Sequence, residues 1–254
     1  MDYYEQEDLW GGELTQKEQD RIETVHSLIP KEVRTILDAG CGDGRVSKTI
    51  KGMDRLVCFD LSVTALMNVK VDKLIASVEK IPVKSKSFDL VICSEIVEHL
   101  EKPVYLNTIK EIARTCSKYI ILAVPNREQL SVGMIDCPKC KTRFHVNYHH
   151  HCFTLEKLLK VFCPDFLLIK HAYCGGNCVY YHPILLWIKR NIAGVRAEKQ
   201  RTICPICHHK PNPHGIKKEN IISRICDILN NRINNNLYTG TGKSHIVCLY
   251  KRNN

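Results

Sequence analysis

No apolar run in the 254-residue sequence reaches the ~18 residues needed to span a bilayer. The acidic, aromatic N-terminus lacks the order of a secretory signal. No internal repeat or low-complexity tract stands out, so solenoids and fibrous chains are excluded. Acids run short in one region: 184–254 holds thirteen Lys and Arg against Glu198, Glu219 and Asp227, which is the whole net charge of +10. The first 183 residues balance to zero. Such a bias suits nucleic acid, an anionic membrane or a phosphate-bearing substrate, and equally a solvated basic surface. The length suits one α/β domain with an insertion and is too short for two large domains.

Cysteine, by contrast, is plentiful, at fourteen residues. Without an export signal these are expected as reduced thiols and metal ligands in the cytoplasm. Cys137-Pro138-Lys139-Cys140 and Cys204-Pro205-Ile206-Cys207 are matched knuckles, each aiming two sulfurs at one tetrahedral ion, and four thiolates would close a structural zinc site. An alternative stays open. Cys137 and Cys140 could join His145 with His149 or His150, leaving Cys204 and Cys207 to Cys174, Cys178, His209 or His214.

The stretch Ile36-Leu37-Asp38-Ala39-Gly40-Cys41-Gly42-Asp43-Gly44-Arg45 reads as a strand ending in an acid, a glycine turn and a helix start. A side chain at Gly40, Gly42 or Gly44 would hold the backbone away from a ligand touching the turn. Asp60 closes the next apolar run, Leu56-Val57-Cys58-Phe59, where a carboxylate can accept both hydroxyls of a ribose.

Gly40-x-Gly42-x-Gly44 after Asp38 resembles the first motif of class I S-adenosylmethionine-dependent methyltransferases, and differs from the G-x-G-x-x-G turn of nicotinamide enzymes. The likeness extends over Val33 to Asn126, including Val124-Pro125-Asn126. It implies a doubly wound, seven-stranded, mostly parallel α/β sheet and a cofactor site lined by Asp38, Gly40, Cys41, Gly42, Gly44, Asp60, Leu61, Ser77, Val78 and Ser94. Many relatives have Asp where this chain has Ser77, so the contact to the adenine amine would fall to Ser77 and the backbone near Val78. Tyr3, Tyr4 and Trp10 read as a lid or docking segment, or as packing onto the core.

The expected organisation is an N-terminal lid and helix over 1–30, a core over 31–174 and 244–254 with the first knuckle at 137–145, and a basic insertion over 175–243 carrying the second knuckle. The insertion should hold an apolar-basic helix, Pro183 to Arg190, and a basic amphipathic helix from about Glu219 to Leu229. The former is expected to meet a membrane surface or an apolar substrate tail, or else to be a buried core helix. Gly240 to Ser244 imitates the end of a P-loop but is read as a turn.

Glu95-x-x-Glu98-His99, if helical, would put three side chains on one face. It resembles a metal motif shared by small-RNA 3′-terminal 2′-O-methyltransferases and ubiquinone-biosynthesis O-methyltransferases. His149-x-His151-x-Phe153 is similar to the RNA enzymes' segment, which implies His151 as a fourth ligand to a catalytic divalent ion. Without metal, His99 or His149 would be the base. The expectation is O-methylation of a small-molecule, lipid-linked or sugar-linked acceptor. Alternatives are RNA 2′-O-methylation, with RNA held by the basic insertion, and a non-catalytic zinc-ribbon binding protein.

Overall fold

The computed structural model describes residues 3–178, 180–195, 202–210, 220–237 and 242–253, with the backbone alone for 234–237. Five parallel strands form first: β1 (Thr35–Ala39), β2 (Arg55–Asp60), β3 (Asp72–Ile75), β4 (Phe88–Ser94) and β5 (Cys116–Pro125). Two later strands, β8 (Phe166–Asn177) and β9 (Lys243–Arg252), complete the seven-stranded order β3-β2-β1-β4-β5-β9-β8. The doubly wound expectation holds. β9 runs antiparallel to β5 and sets His245 opposite Pro125.

Successive side chains of a strand leave opposite faces of a sheet, so near-continuous apolar runs here feed two cores. Leu37, Val91, Cys93 and Leu122 enter one core with Ile112 of α3 (Lys102–Thr115). Ile36, Leu90, Ile92 and Ile121 enter the other with Ile22 and Val25 of α1 (Gln16–Ser27). Thr15 opens α1 with a full capping box, its hydroxyl accepting from Glu18 N–H while the Glu18 carboxylate accepts from Thr15 N–H.

One expectation fails. No long helix follows the glycine turn; the chain makes one 3-10 turn, Ser47–Thr49, before Gly52, at φ 75°, redirects it into β2. The segment after Asp60 forms the short α2 (Val63–Leu66). The turn therefore presents backbone N–H groups of a loop, with little helix dipole behind them.

The chain divides into two compact units, 1–127 with 153–176 and 243–254, and 128–152 with 177–242. The first knuckle thus belongs with the insertion and not, as expected, with the core. The second unit contains α4 (Leu130–Gly133), a hairpin of β6 (Met134–Asp136) and β7 (Arg143–His145), α6 (Pro183–Asn191) and α7 (Ile221–Leu237). The short α5 (Leu155–Leu158), capped by Thr154, lies in the first unit. Glu219, His214, Gly240 and Thr241 lie outside the described residues.

Candidate functional site

The first unit's candidate site is built where β1, β2 and β4 end. Gly40, Gly42 and Gly44 have φ of 68°, 54° and 75°, the left-handed region that a residue with a Cβ enters only at a cost. Gly40 N–H and Cys41 N–H both donate to Phe59 C=O, at 2.9 and 3.0 Å, tying the turn to the end of β2. Asp60 continues that tie. Its Oδ2 accepts from Gly42 N–H at 2.8 Å and its Oδ1 from Ser62 N–H at 2.9 Å. Each carboxylate oxygen keeps a second acceptor site.

Asp38, buried beneath the turn, accepts from the Ser47 hydroxyl. Burial pushes its carboxyl up to about 6, against that hydrogen bond and with the Asp60 charge adding to the rise. Asp38 is thus a support for the turn. Ser94 Oγ, at the end of β4, is buried and has no hydrogen-bond partner among the described residues. A buried hydroxyl left so costs stability unless a ligand meets it. Val78 is buried, Ser77 half-buried with its Oγ accepting from Glu79 N–H at 3.4 Å, and Leu61 is 63% exposed.

The N-terminal segment closes on this turn. Trp10 packs so closely on Gly42 that a Cβ there would come within 2.9 Å of the indole ring. Trp10 Nε1 donates to Tyr4 C=O at 2.8 Å, as does the Ser62 hydroxyl, and Gly11 N–H donates to Asp43 Oδ2 at 2.9 Å. Tyr4 OH shares a 3.3 Å hydrogen bond with His99 Nδ1. His99 Nε2 lies 3.8 Å from Glu98 Oε1, a carboxylate that is fully buried.

Glu95 departs from the expected helical face. The helix there is a single 3-10 turn, Val97–His99, and Glu95 precedes it at φ 59°. One of its oxygens, Oε2, is 3.3 Å from both Arg21 Nη1 and His245 Nε2. Burial raises its pKa, but the hydrogen bond from His245 and the charge of Arg21 outweigh it, so the carboxyl lies below its ordinary value. Glu95 is an ion-pair residue. Arg21 and His245 were illegible as its partners, being 74 and 150 positions away along the chain.

In the second unit the four knuckle sulfurs converge. Sγ atoms of Cys137, Cys140, Cys204 and Cys207 all lie within 4.8 Å of one another, with Cys137 to Cys207 at 3.6 Å and Cys140 to Cys204 at 3.5 Å. The knuckles match in their backbones. Lys141 N–H donates to Cys137 C=O and His208 N–H to Cys204 C=O, at 2.9 and 3.0 Å, and both residues after the second cysteine have positive φ, 63° and 53°. Thr142, 3.2 Å from Cys140 Sγ, holds that thiol down at about 6. Against the amide of His209, burial and the neighbouring sulfurs push Cys207 up to about 12. Four thiols so close cannot all ionise without a cation among them, and four sulfurs at this spacing fit a tetrahedral zinc site.

The histidine alternative for this knuckle is replaced by other contacts. His145 stacks on His149 with ring centroids 5.0 Å apart, and His149 Nδ1 bonds the Glu128 carboxylate. His149 and the half-buried His151 belong to the second unit, Glu95, Glu98 and His99 to the first.

Comparison with known proteins agrees with this geometry. A family model described as a methyltransferase domain matches residues 37–122, from β1 through most of β5. The match takes in the glycine turn and Asp60 and covers about a third of the chain. An uncharacterized protein of Methanocaldococcus jannaschii is 32% identical over 97 residues, 37% of this chain, and the match spans 42% of that relative's length. The fold of the chain is similar to that of a SAM-dependent methyltransferase from Archaeoglobus fulgidus, at TM-score 0.54 and 15% identity, covering 91% of this chain and 92% of that one. It is also similar to the Burkholderia thailandensis 1,6-didemethyltoxoflavin-N1-methyltransferase solved with S-adenosylhomocysteine, at TM-score 0.51 and 11% identity, covering 92% and 77%.

Proposed function

We propose that the protein binds S-adenosylmethionine at the Gly40–Gly44 turn and transfers its methyl group to an oxygen of a small-molecule, lipid-linked or sugar-linked acceptor. The observation that carries this reading is Asp60, pinned by Gly42 and Ser62 N–H so that its carboxylate faces a ribose at the end of β2. The residues fit the cofactor: three left-handed glycines give close approach, and the buried Ser94 hydroxyl awaits a polar partner. The donor supplies an activated sulfonium methyl. The chain's task is to hold it, aim the acceptor and exclude water. Trp10 and Tyr4 cover the turn and supply the exclusion. His99, whose ring Tyr4 OH holds at Nδ1 beside the buried Glu98 carboxylate, is the proposed proton acceptor.

Arg21 and His245 engage Glu95, which leaves Glu98 and His99 as the first unit's residues for the catalytic divalent ion of the metal reading. RNA 2′-O-methylation is the second reading, supported by the basic insertion. The matched knuckles support one structural zinc on Cys137, Cys140, Cys204 and Cys207.

Calorimetric titration of S-adenosylhomocysteine tests the cofactor assignment. Asp60→Ala should weaken binding by about 1.5–3 kcal/mol, the range for hydrogen bonds to a charged group. Unchanged affinity would remove the assignment. Mass analysis for a gain of one methylene in candidate alcohols and phenols then tests the oxygen acceptor.

A further inference from the structure

Helix α7 is inside out. Its buried positions are Ser223, Cys226 and Asn230, spaced i, i+3 and i+7, so a small polar stripe faces its own unit. Its apolar residues point the other way: Ile221 is 76% exposed, Ile225 51% and Ile228 55%, with Ile222 and Leu229 beside them. At 100° per residue these five cover an arc of about 120°, the width of a normal core-facing stripe. Arg232, four residues after Ile228, falls on the same arc and is exposed. The polar stripe is also well occupied. Asn230 donates to Tyr180 C=O and accepts from His182 N–H, and Asp227 binds Tyr181 OH and Lys189, so the helix cannot roll over to bury its isoleucines without breaking these bonds.

The neighbouring α6 adds to the exposed face, with Ile184 64% and Trp187 58% exposed one helical turn apart. Its basic residues contribute less than the sequence suggested. Lys189 is paired with Asp227 at 2.6 Å, and Arg190 donates to Val132 C=O at 2.7 Å.

We infer that the outer face of α7, with Ile184 and Trp187 of α6, docks on an anionic lipid surface. Charge selects this occupant. Residues 177–242 carry ten Lys and Arg against three acids, so a second copy on this face would bring two strongly cationic segments together, whereas an anionic headgroup layer complements them. No helix among the described residues is long and apolar enough to cross a membrane, so the face lies in the interface plane. A tryptophan among isoleucines suits that depth, its ring apolar and its indole N–H a donor for headgroups.

The test is co-sedimentation of the full chain with vesicles of equal phosphatidylglycerol and phosphatidylcholine, and of phosphatidylcholine alone. The result expected is binding to the anionic vesicles at low salt, little to the neutral ones, and at least about a tenfold loss in Ile225→Ser/Ile228→Ser. Both isoleucines are more than half exposed, and circular dichroism confirms that the variant folds. In a Trp10→Phe background the fluorescence of Trp187, the remaining tryptophan, should shift to the blue on binding. Three results would each overturn the inference: no binding to anionic vesicles, equal binding by the isoleucine variant, or a dimer in size-exclusion chromatography that this variant abolishes. The assay needs no methyl donor or acceptor, so its failure leaves the proposed chemistry standing.

Discussion

Replacing Glu95 by Gln separates an ion-pair role from a metal-ligand role, because the two predict opposite observables. The variant keeps shape and removes the charge that Arg21 and His245 share at 3.3 Å each. At an effective dielectric constant of about 20, the Arg21–Glu95 pair at that distance is worth roughly 5 kcal/mol before desolvation. Desolvation cancels much of this, and a charge-assisted hydrogen bond nets about 1.5–3 kcal/mol. Loss of both partners' anion should therefore cost about 2–4 kcal/mol, a substantial part of a domain's stability. A chain of this size should lose roughly 5–12 °C in Tm. The pH dependence carries a second signature. Because the folded Glu95 carboxyl lies below its ordinary value of 4.5, its contribution is present above pH about 4.5 and disappears as pH falls through the lower folded value. Wild type and Glu95→Gln should hence differ near neutral pH and converge in acid, measured by thermal melts across pH. An unchanged Tm at pH 7, together with loss of a bound divalent ion in Glu95→Gln, would refute the ion-pair assignment and restore the residue to a metal site.

Two further outcomes are expected besides the Asp60→Ala titration above. Cys204→Ser should remove the single zinc equivalent measured by elemental analysis, and proteolysis should then open the second unit while residues of the sheet stay protected; full zinc occupancy in that variant would refute a four-cysteine site. Gly42→Ala should cost about 1–3 kcal/mol of stability, from the Cβ meeting Trp10 at 2.9 Å and from φ of 54°, and should weaken S-adenosylhomocysteine more than Gly52→Ala, a turn glycine with open space around it; equal effects on binding would show the glycine turn to be structural only.

Several features were set by local sequence. Parallel central strands announce themselves as apolar runs because both faces are buried, and Gly40, Gly42 and Gly44 mark a left-handed turn because no other residue enters that region cheaply. Thr15 with Glu18, and Thr154, start their helices locally, since a cap is an interaction over three residues. The Cys-Pro-x-Cys knuckles are equally local. That they face each other is not: the hairpin of β6 and β7 and the segment 202–210 had to meet before four sulfurs lay within 4.8 Å. Helix periodicity at Glu95-x-x-Glu98-His99 misled for the complementary reason. Three residues cannot show whether the backbone is helical, and the left-handed Glu95 is fixed by its N–H bond to Ala123 C=O and by Arg21 and His245, which α1 and β9 deliver. The amphipathic pattern of α7 was legible as a pattern, but its direction was not. Periodicity gives the angle between apolar and polar faces; only tertiary hydrogen bonds through Asp227 and Asn230 decide which of the two turns toward solvent.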